Sequence, residues 1–237
     1  KMLGRLKQLN DSREEFVSNV SHELKTPLTS MKVLADSLLA QENVPIELYQ
    51  EFMGDIAKEI DRENDIISDL LTLVKMDKTV QGLNIRQINI NELLEAILKR
   101  LKPIADKKKI EVVLESFRPV SAEIDEMKLT LAISNLVENA IKYNRPSGSV
   151  TVNIHSAESA VLEVTDTGIG ISPENQEKIF DPFYRVDKSR SRAMGGAGLG
   201  LALVSEIARQ HNGQVKVTQS SEKGSTIALI LPKSTDY

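Results

Sequence analysis

Ser21-His22-Glu23-Leu24-Lys25-Thr26-Pro27-Leu28 sets an imidazole beside a carboxylate within a run whose apolar residues step by three and four. Phe16, Val20, Leu24, Leu28, Met31, Ala35 and Leu38 keep that step, so the segment reads as a long amphipathic helix with one buried stripe. At roughly 100° per residue His22 lies about 200° from both Val20 and Leu24, and its ring is expected in solvent. Glu23 is near enough to hold or deprotonate one ring nitrogen and leave the other as a nucleophile. Thr26, at i+4, shares the histidine's face, where a hydroxyl can orient a water against whatever group the histidine carries. Pro27 has no amide hydrogen, so the carbonyl of Glu23 loses its helical partner and a bend is expected beside the site.

The composition narrows what surrounds this helix. The chain has 237 residues, room for one large domain or two smaller ones, and its 41% hydrophobic content suits a globular protein. Thirty basic against thirty-four acidic residues leave a net charge of −4, which argues for neither nucleic acid nor an anionic membrane surface as a partner. The absence of cysteine excludes disulfides, thiolate catalysis and cysteine-ligated zinc, and it suits a reducing cytosol. His155 and His211 lack metal-binding company. No run reaches the length of a membrane span. Leu3, Leu6 and Leu9 already stand at helical spacing at the start, so a cytoplasmic fragment is expected, with any membrane anchor or sensor in a missing N-terminal part.

Two regions differ in period. Up to about residue 80 there are two helices, Leu3 to Ala40 and Ile46 to Met76, separated by the polar turn Gln41-Glu42-Asn43-Val44-Pro45. In the second helix Phe52, Ile56, Ile60, Ile67, Leu70 and Val74 form the expected stripe, with Glu59, Asp61, Arg62 and Glu63 between them. A hairpin of this length cannot bury both stripes alone, so a homodimeric four-helix bundle is expected. From about Asn84 strands interleave with helices. Strands are expected over Ile110–Leu114, Val150–His155, Val161–Thr165, Gln214–Thr218 and Thr226–Leu231, and helices over Asn91–Ala105, Asp125–Tyr143 and Leu199–Asn212, with Asp125 as an N-cap. That pattern is an α/β sandwich with helices on one face of a mixed sheet. Met76 to Arg86, containing Gly82, is the expected hinge.

Four stretches of the second region have the chemistry of a nucleotide site. Asn135 and Asn139 are i and i+4, placing two neutral oxygen donors on one helical face, the ligand type Mg²⁺ accepts when water and phosphate complete its shell. Lys142, one i+3 step further, can reach phosphate, and Tyr143 offers a ring to a base or sugar. Asp166, closing an apolar strand before Gly168 and Gly170, can accept from an exocyclic amine such as adenine's. Gly195-Gly196-Ala197-Gly198-Leu199-Gly200-Leu201 opens into a helix N-terminus, where unpaired N–H groups face anions. It follows no strand and lacks a Lys-Ser/Thr pair, so it is neither a Walker loop nor a dinucleotide fingerprint. The fourth stretch is Gly224-Ser225-Thr226. Between the second and third, Phe180-Asp181-Pro182-Phe183-Tyr184-Arg185 and the following Lys188, Arg190 and Arg192 have the composition of a lid, with a solvated basic loop as the other reading, the one taken for Arg190 and Arg192.

Taken in order, these stretches resemble the catalytic core of a bacterial-type sensor histidine kinase. The resemblance rests on an H box at His22, an N box at 135–143, a G1 box at 166–170, an F box at 180–184, a G2 box at 195–201 and a G3-like Gly224-Ser225-Thr226, and it covers nearly the whole chain. Two departures are Ala197, where threonine is frequent, and Lys128, where arginine is frequent. The resemblance implies a multi-domain α plus α/β protein. Residues 1–80 would be an antiparallel dimerisation and histidine-phosphotransfer hairpin, 81–86 a hinge, and 87–237 an ATP-binding domain of the Bergerat/GHKL kind. It implies autophosphorylation of His22 from ATP and Mg²⁺, with Glu23 as base, then transfer to an aspartate of a response regulator, and through Thr26 a phosphatase activity toward that regulator. The implied nucleotide contacts are Asn135, Asn139, Lys142, Tyr143, Asp166, Gly168, Gly170, Arg185, Lys188, Gly196, Gly198, Leu199, Gly200 and Thr226, with Asn139 and Asn135 on the metal. Two other readings of the residues are an ATP-hydrolysing clamp, whose turnover survives His22→Gln, and a dimeric adaptor with a vestigial pocket.

Overall fold

The computed structural model describes residues 2–41, 43–78, 82–116, 118–156, 159–187 and 196–232. The chain divides into two compact units, one of Lys1–Thr72 with Ser189–Ala197, the other of Leu73–Lys188 with Gly198–Tyr237. The division falls inside the second long helix rather than in the Met76–Arg86 stretch, because Leu73 and Met76 pack into the second unit's core.

The first unit is a helical hairpin of α1 (Met2–Leu39) and the greater part of α2 (Ile46–Lys78). Helix α1 runs on through Pro27, which is buried, while Leu28, expected in the buried stripe, is 56% exposed. The inward seam of α2 also differs from the expected stripe. Phe52, Ile56, Glu59, Glu63, Ile66, Leu70 and Leu73 alternate steps of four and three, the coiled-coil period, and each is half-buried or buried. Ile60 and Ile67 lie off this seam and are 46% and 40% exposed. The apolar pattern alone misplaces the stripe because two seam positions hold glutamates. Burial raises the Glu63 carboxyl above its ordinary range, with Arg62 opposing and Glu59 adding to the shift.

The second unit is built on a five-stranded mixed sheet in the order β2 (Glu111–Glu115), β4 (Ser149–Ser156), β5 (Ser159–Asp166), β7 (Gly224–Pro232), β6 (Gln214–Ser221). Only β2 and β4 run parallel. All five sequence-expected strands are present. Two more, β1 (Ile85–Asn89) and β3 (Ser121–Asp125), pair antiparallel as a separate ribbon. Their short, polar sequences carry little alternation, and their pairing is set by partners distant in sequence.

Val150, Val152 and Ile154 on β4 and Ala160, Leu162 and Val164 on β5 point into one core, alternating with half-exposed residues as a one-sided sheet requires. Helices α3 (Ile90–Lys107), α4 (Glu126–Lys142) and α5 (Gly200–Gln210) cover that face. Local chemistry sets their starts. The Asn89 side chain accepts from the Asn91 N–H and the Asp125 side chain from the Lys128 N–H, each satisfying an orphan donor of the first turn.

His211 then ties α5 to α4. The ring is 1% exposed, its Nδ1 bonds the Ile207 carbonyl at 2.8 Å, and its Nε2 accepts the Asp125 backbone N–H at 3.0 Å. Those partners require a neutral ring with the proton on Nδ1. Burial accordingly pushes its pKa below the ordinary value, although the Ile207 carbonyl and Asp125 pull the other way.

Candidate active site

His22 is exposed on α1, with Thr26 exposed beside it and Glu23 half-buried. The Thr26 hydroxyl donates to the His22 carbonyl at 3.0 Å, so one turn of helix links the two residues. Hydroxyl-to-carbonyl bonds at the same spacing join Ser21 to Val17 and Thr29 to Lys25. No group of three or more His, Cys, Asp or Glu suited to a metal occurs among the described residues.

In the second unit Gly200 lies against Asn135 and Asn139, Gly168 against Tyr143 and Asp166, and Gly198 against Phe183 and Tyr184. The Asn135 amide donates from Nδ2 to the Leu131 carbonyl at 3.0 Å, which turns its Oδ1 toward the first residue of α5. A Cβ on Gly200 would lie 2.4 Å from that oxygen and 3.7 Å from the Asn139 amide nitrogen. Glycine is therefore what lets the N-terminus of α5 seat against both amides. Helix α5 begins at Leu199 without a side-chain cap, leaving its first N–H groups for another acceptor. The Leu199 side chain is buried, so its part in such a site is played by its backbone.

Asp166 ends β5 with both carboxylate oxygens engaged. Oδ1 accepts the Gly168 N–H at 2.7 Å and Oδ2 the Ser225 hydroxyl at 2.7 Å. Ser225 enters from sequence only as part of the Gly224-Ser225-Thr226 stretch; its role beside Asp166 is shown by the β5–β7 register, which sets Asp166 opposite Ser225 and Thr165 opposite Thr226. The hydroxyls of Thr165 and Thr226 are 3.0 Å apart. The glycines of this loop give room to the chain's own backbone. A Cβ on Gly168 would meet the Tyr143 carbonyl at 2.5 Å, and Gly170, at φ +72°, would drive one into the Ser221 carbonyl.

Phe183 holds a left-handed φ of +65° and donates its N–H to the Gly198 carbonyl at 2.9 Å. Gly198, at φ +76°, closes on the Tyr184 carbonyl, and the Tyr184 hydroxyl donates to Asn175 Oδ1 at 2.5 Å. The aromatic stretch is thereby pinned to the glycine segment, with Arg185 half-buried just beyond. Lys142 and Tyr143, read separately from sequence, form a pair: the ammonium lies 5.4 Å above the ring centroid, a cation–π distance. Gly196 is half-buried and counts with the other unit, and Lys188 lies outside the described residues.

The donor set suits a nucleotide with its cation. Two neutral amides beside an uncapped helix N-terminus can complement phosphate, and Asn oxygen is a ligand type Mg²⁺ accepts, leaving the rest of its shell to phosphate and water. A cavity of about 480 Å³ lies elsewhere, between α3 and the edge strand β2.

The fold is a long helical hairpin followed by an α/β domain with helices on one face of a mixed sheet. Residues 124–235 match the family described as histidine kinase-, DNA gyrase B- and HSP90-like ATPase, and residues 12–79 match the His Kinase A (phospho-acceptor) domain. The sensor-like histidine kinase SenX3 of Mycobacterium tuberculosis is 38% identical over 227 residues, covering 95% of this chain and 55% of SenX3. Sensor histidine kinase WalK of Bacillus subtilis is 37% identical over 231 residues, covering 95% and 37%. The chain thus spans about half or less of the length of these relatives. Histidine kinase ThkA, solved in complex with the response regulator TrrA, superposes with a TM-score of 0.77 at 20% identity, covering 99% of this chain and 67% of that one. The chain belongs to the sensor histidine kinases and comprises their phosphoacceptor and ATP-binding domains.

Proposed function

We propose that this chain transfers the γ-phosphoryl group of ATP·Mg²⁺ to His22 and passes it to an aspartate of a response regulator. The observation that carries the reading is one chain holding both halves of the chemistry: an exposed histidine within the phosphoacceptor match, and, within the ATPase match, Gly200 seated against Asn135 and Asn139 together with Asp166 at the end of its strand. The free ring nitrogen forms the N–P bond as the bond from phosphorus to the bridging oxygen breaks, and ADP leaves with that electron pair. Glu23 takes or orients the ring proton. Asn139 and Asn135 hold the cation, Asp166 accepts from the adenine amine, and Lys142 and Arg185 contact phosphate. Transfer onward breaks the N–P bond and forms an acyl phosphate; the ThkA complex with a response regulator supports such a partner here.

A phosphatase activity belongs to the same reading, with the Thr26 hydroxyl orienting the attacking water. So does a homodimer. Met53, Ile60, Ile67 and Leu71 form a second apolar row on α2, each at least 40% exposed, which a second copy would cover. No described helix is long and apolar enough to cross a membrane, and anchoring of the full-length protein would fall to sequence outside this chain. The test is incubation with γ-labelled ATP and Mg²⁺ of wild type, His22→Gln and Asn139→Ala. Acid-labile, base-stable label in wild type that both variants lack supports the reading. ATP turnover surviving in His22→Gln would instead identify an ATP-hydrolysing clamp.

A further inference from the structure

Gln210, the last residue of α5, is bonded at both ends of its carboxamide. Nε2 donates to the Met76 carbonyl at 3.1 Å and to Glu206 Oε1 at 3.0 Å, while Oε1 accepts from Lys128 Nζ at 2.7 Å. The orientation of the amide is settled by its partners. Reversed, it would turn oxygen toward two acceptors and N–H toward an ammonium. Glu206 is itself held by two bonds from Arg209, which keep its carboxyl ionised and aimed at the amide.

Met76 lies in the last turn of α2, which ends at Lys78, and carbonyls of a last turn have no partner within their own helix. Gln210 supplies that partner from 134 positions away. The Met76 side chain, 8% exposed, is packed in the apolar core of the second unit. The terminal turn of α2 is therefore fastened twice, by packing and by a cap. Both helices that carry the nucleotide cluster contribute: α5 runs from Gly200 to Gln210, and α4 bears Lys128 in its first turn and Asn135 and Asn139 further along.

We infer that Gln210 is a positioning residue for phosphoryl transfer, capping α2 from the ATP-binding unit and so keeping the connection between that unit and the phosphoacceptor hairpin stiff. The inference rests on the kinase reading. A helix whose last turn frays becomes flexible link, and a longer flexible link lowers the effective concentration of a tethered reactant. Transfer needs the reacting atoms near contact distance, so the loss falls on the turnover rate rather than on ATP binding.

The test compares the whole chain with Gln210→Glu and Gln210→Ala. Glutamate keeps an acceptor for Lys128 and removes the donor to Met76 and Glu206, whereas alanine removes all three bonds, so the two variants separate the cap from the lysine contact. Both should speed backbone hydrogen exchange over residues 73–78 by about five-fold, the loss of one neutral hydrogen bond. Both should lower the maximal rate of His22 labelling by a similar factor, with the ATP concentration at half-maximal rate within about two-fold of wild type. Unchanged exchange over 73–78 overturns the cap. Faster exchange with an unchanged labelling rate, or a loss appearing only in the ATP dependence, overturns the positioning role. A wild type that takes no label fails the kinase reading and this inference together, whereas label in wild type with equal rates in the variants fails the inference alone.

Discussion

The Thr26 hydroxyl donates to the backbone carbonyl of His22 across 3.0 Å, so its proton is committed to the helix and its lone pairs are what it offers to solvent. A hydroxyl in that state orients a water by accepting from it, which leaves the water's own lone pair for attack. Thr26→Ala should therefore lower dephosphorylation of a phosphorylated receiver domain by about ten-fold or more while labelling of His22 stays within about two-fold. Thr26→Ser should retain most of both. Equal phosphatase rates in Thr26→Ala and wild type would remove Thr26 from that reaction.

Asp166 organises the end of β5 through Gly168 and Ser225. Asp166→Asn replaces one acceptor oxygen with a donor, which would face either the Gly168 N–H or the Ser225 hydroxyl. Affinity for a non-hydrolysable ATP analogue, read by calorimetry, should fall by about ten-fold or more. Ser225→Ala removes one bond to the carboxylate and should cost a few-fold, about 1 kcal/mol.

His211 makes the second unit sensitive to acid. Its pKa is lowered by burial from an ordinary 6.5, so the unfolded chain binds the proton more readily than the folded one. The stability it contributes is full above about pH 6.5 and declines as pH falls from there toward the depressed folded value. The groups facing the ring are the Ile207 carbonyl, Asp125 and Lys128. Denaturation midpoints measured between pH 7.5 and 5 should fall, and His211→Gln should flatten that slope while lowering stability throughout.

Gly170 and Gly224 should tolerate no side chain. At φ +72° and +130°, a Cβ on either would meet backbone, the Ser221 carbonyl or the Asp166 carbonyl. Backbone cannot swing aside as a side chain can. Gly170→Ala or Gly224→Ala should destabilise the second unit by about 3 kcal/mol or more, seen as an early thermal transition.

The second apolar row on α2 should mediate self-association. Ile60→Glu combined with Ile67→Glu places charge on two residues that are 46% and 40% exposed in one chain. Sedimentation should show a dimer for wild type and a monomer for the double variant, with the helical signal retained. A wild-type monomer at micromolar concentration would remove the dimer.

Long elements were legible from sequence because their signals are local. Helices α1, α2 and α4, the Asp125 cap and the five strands of the main sheet follow from apolar period and end-capping residues within a few positions. The β1–β3 ribbon was not legible, since each strand is short and polar and becomes a strand by pairing across 30 or more positions. The seam of α2 was misplaced by about one residue for a related reason. Period identifies a face, but Glu59 and Glu63 turn inward while Ile60 and Ile67 turn outward. Candidate site residues were legible as types at spacings, whereas the bond from Ser225 to Asp166 was not, because nothing near either residue in sequence marks the other as its partner.

The sequence by itself determined the order of the parts: an exposed His22-Glu23 with Thr26 one turn on, then an asparagine-bearing helix, an aspartate closing a strand, and glycines opening a helix. Those follow from residue chemistry at short separation, which the backbone's two periods carry directly. Tertiary structure alone decided that Gly200 seats on Asn135, that Ser225 holds Asp166, that His211 joins α5 to the start of α4, and that Gln210 caps α2. Each of these joins groups 59 to 134 positions apart. Contacts at such range are set by how helices and strands pack, which no local period encodes.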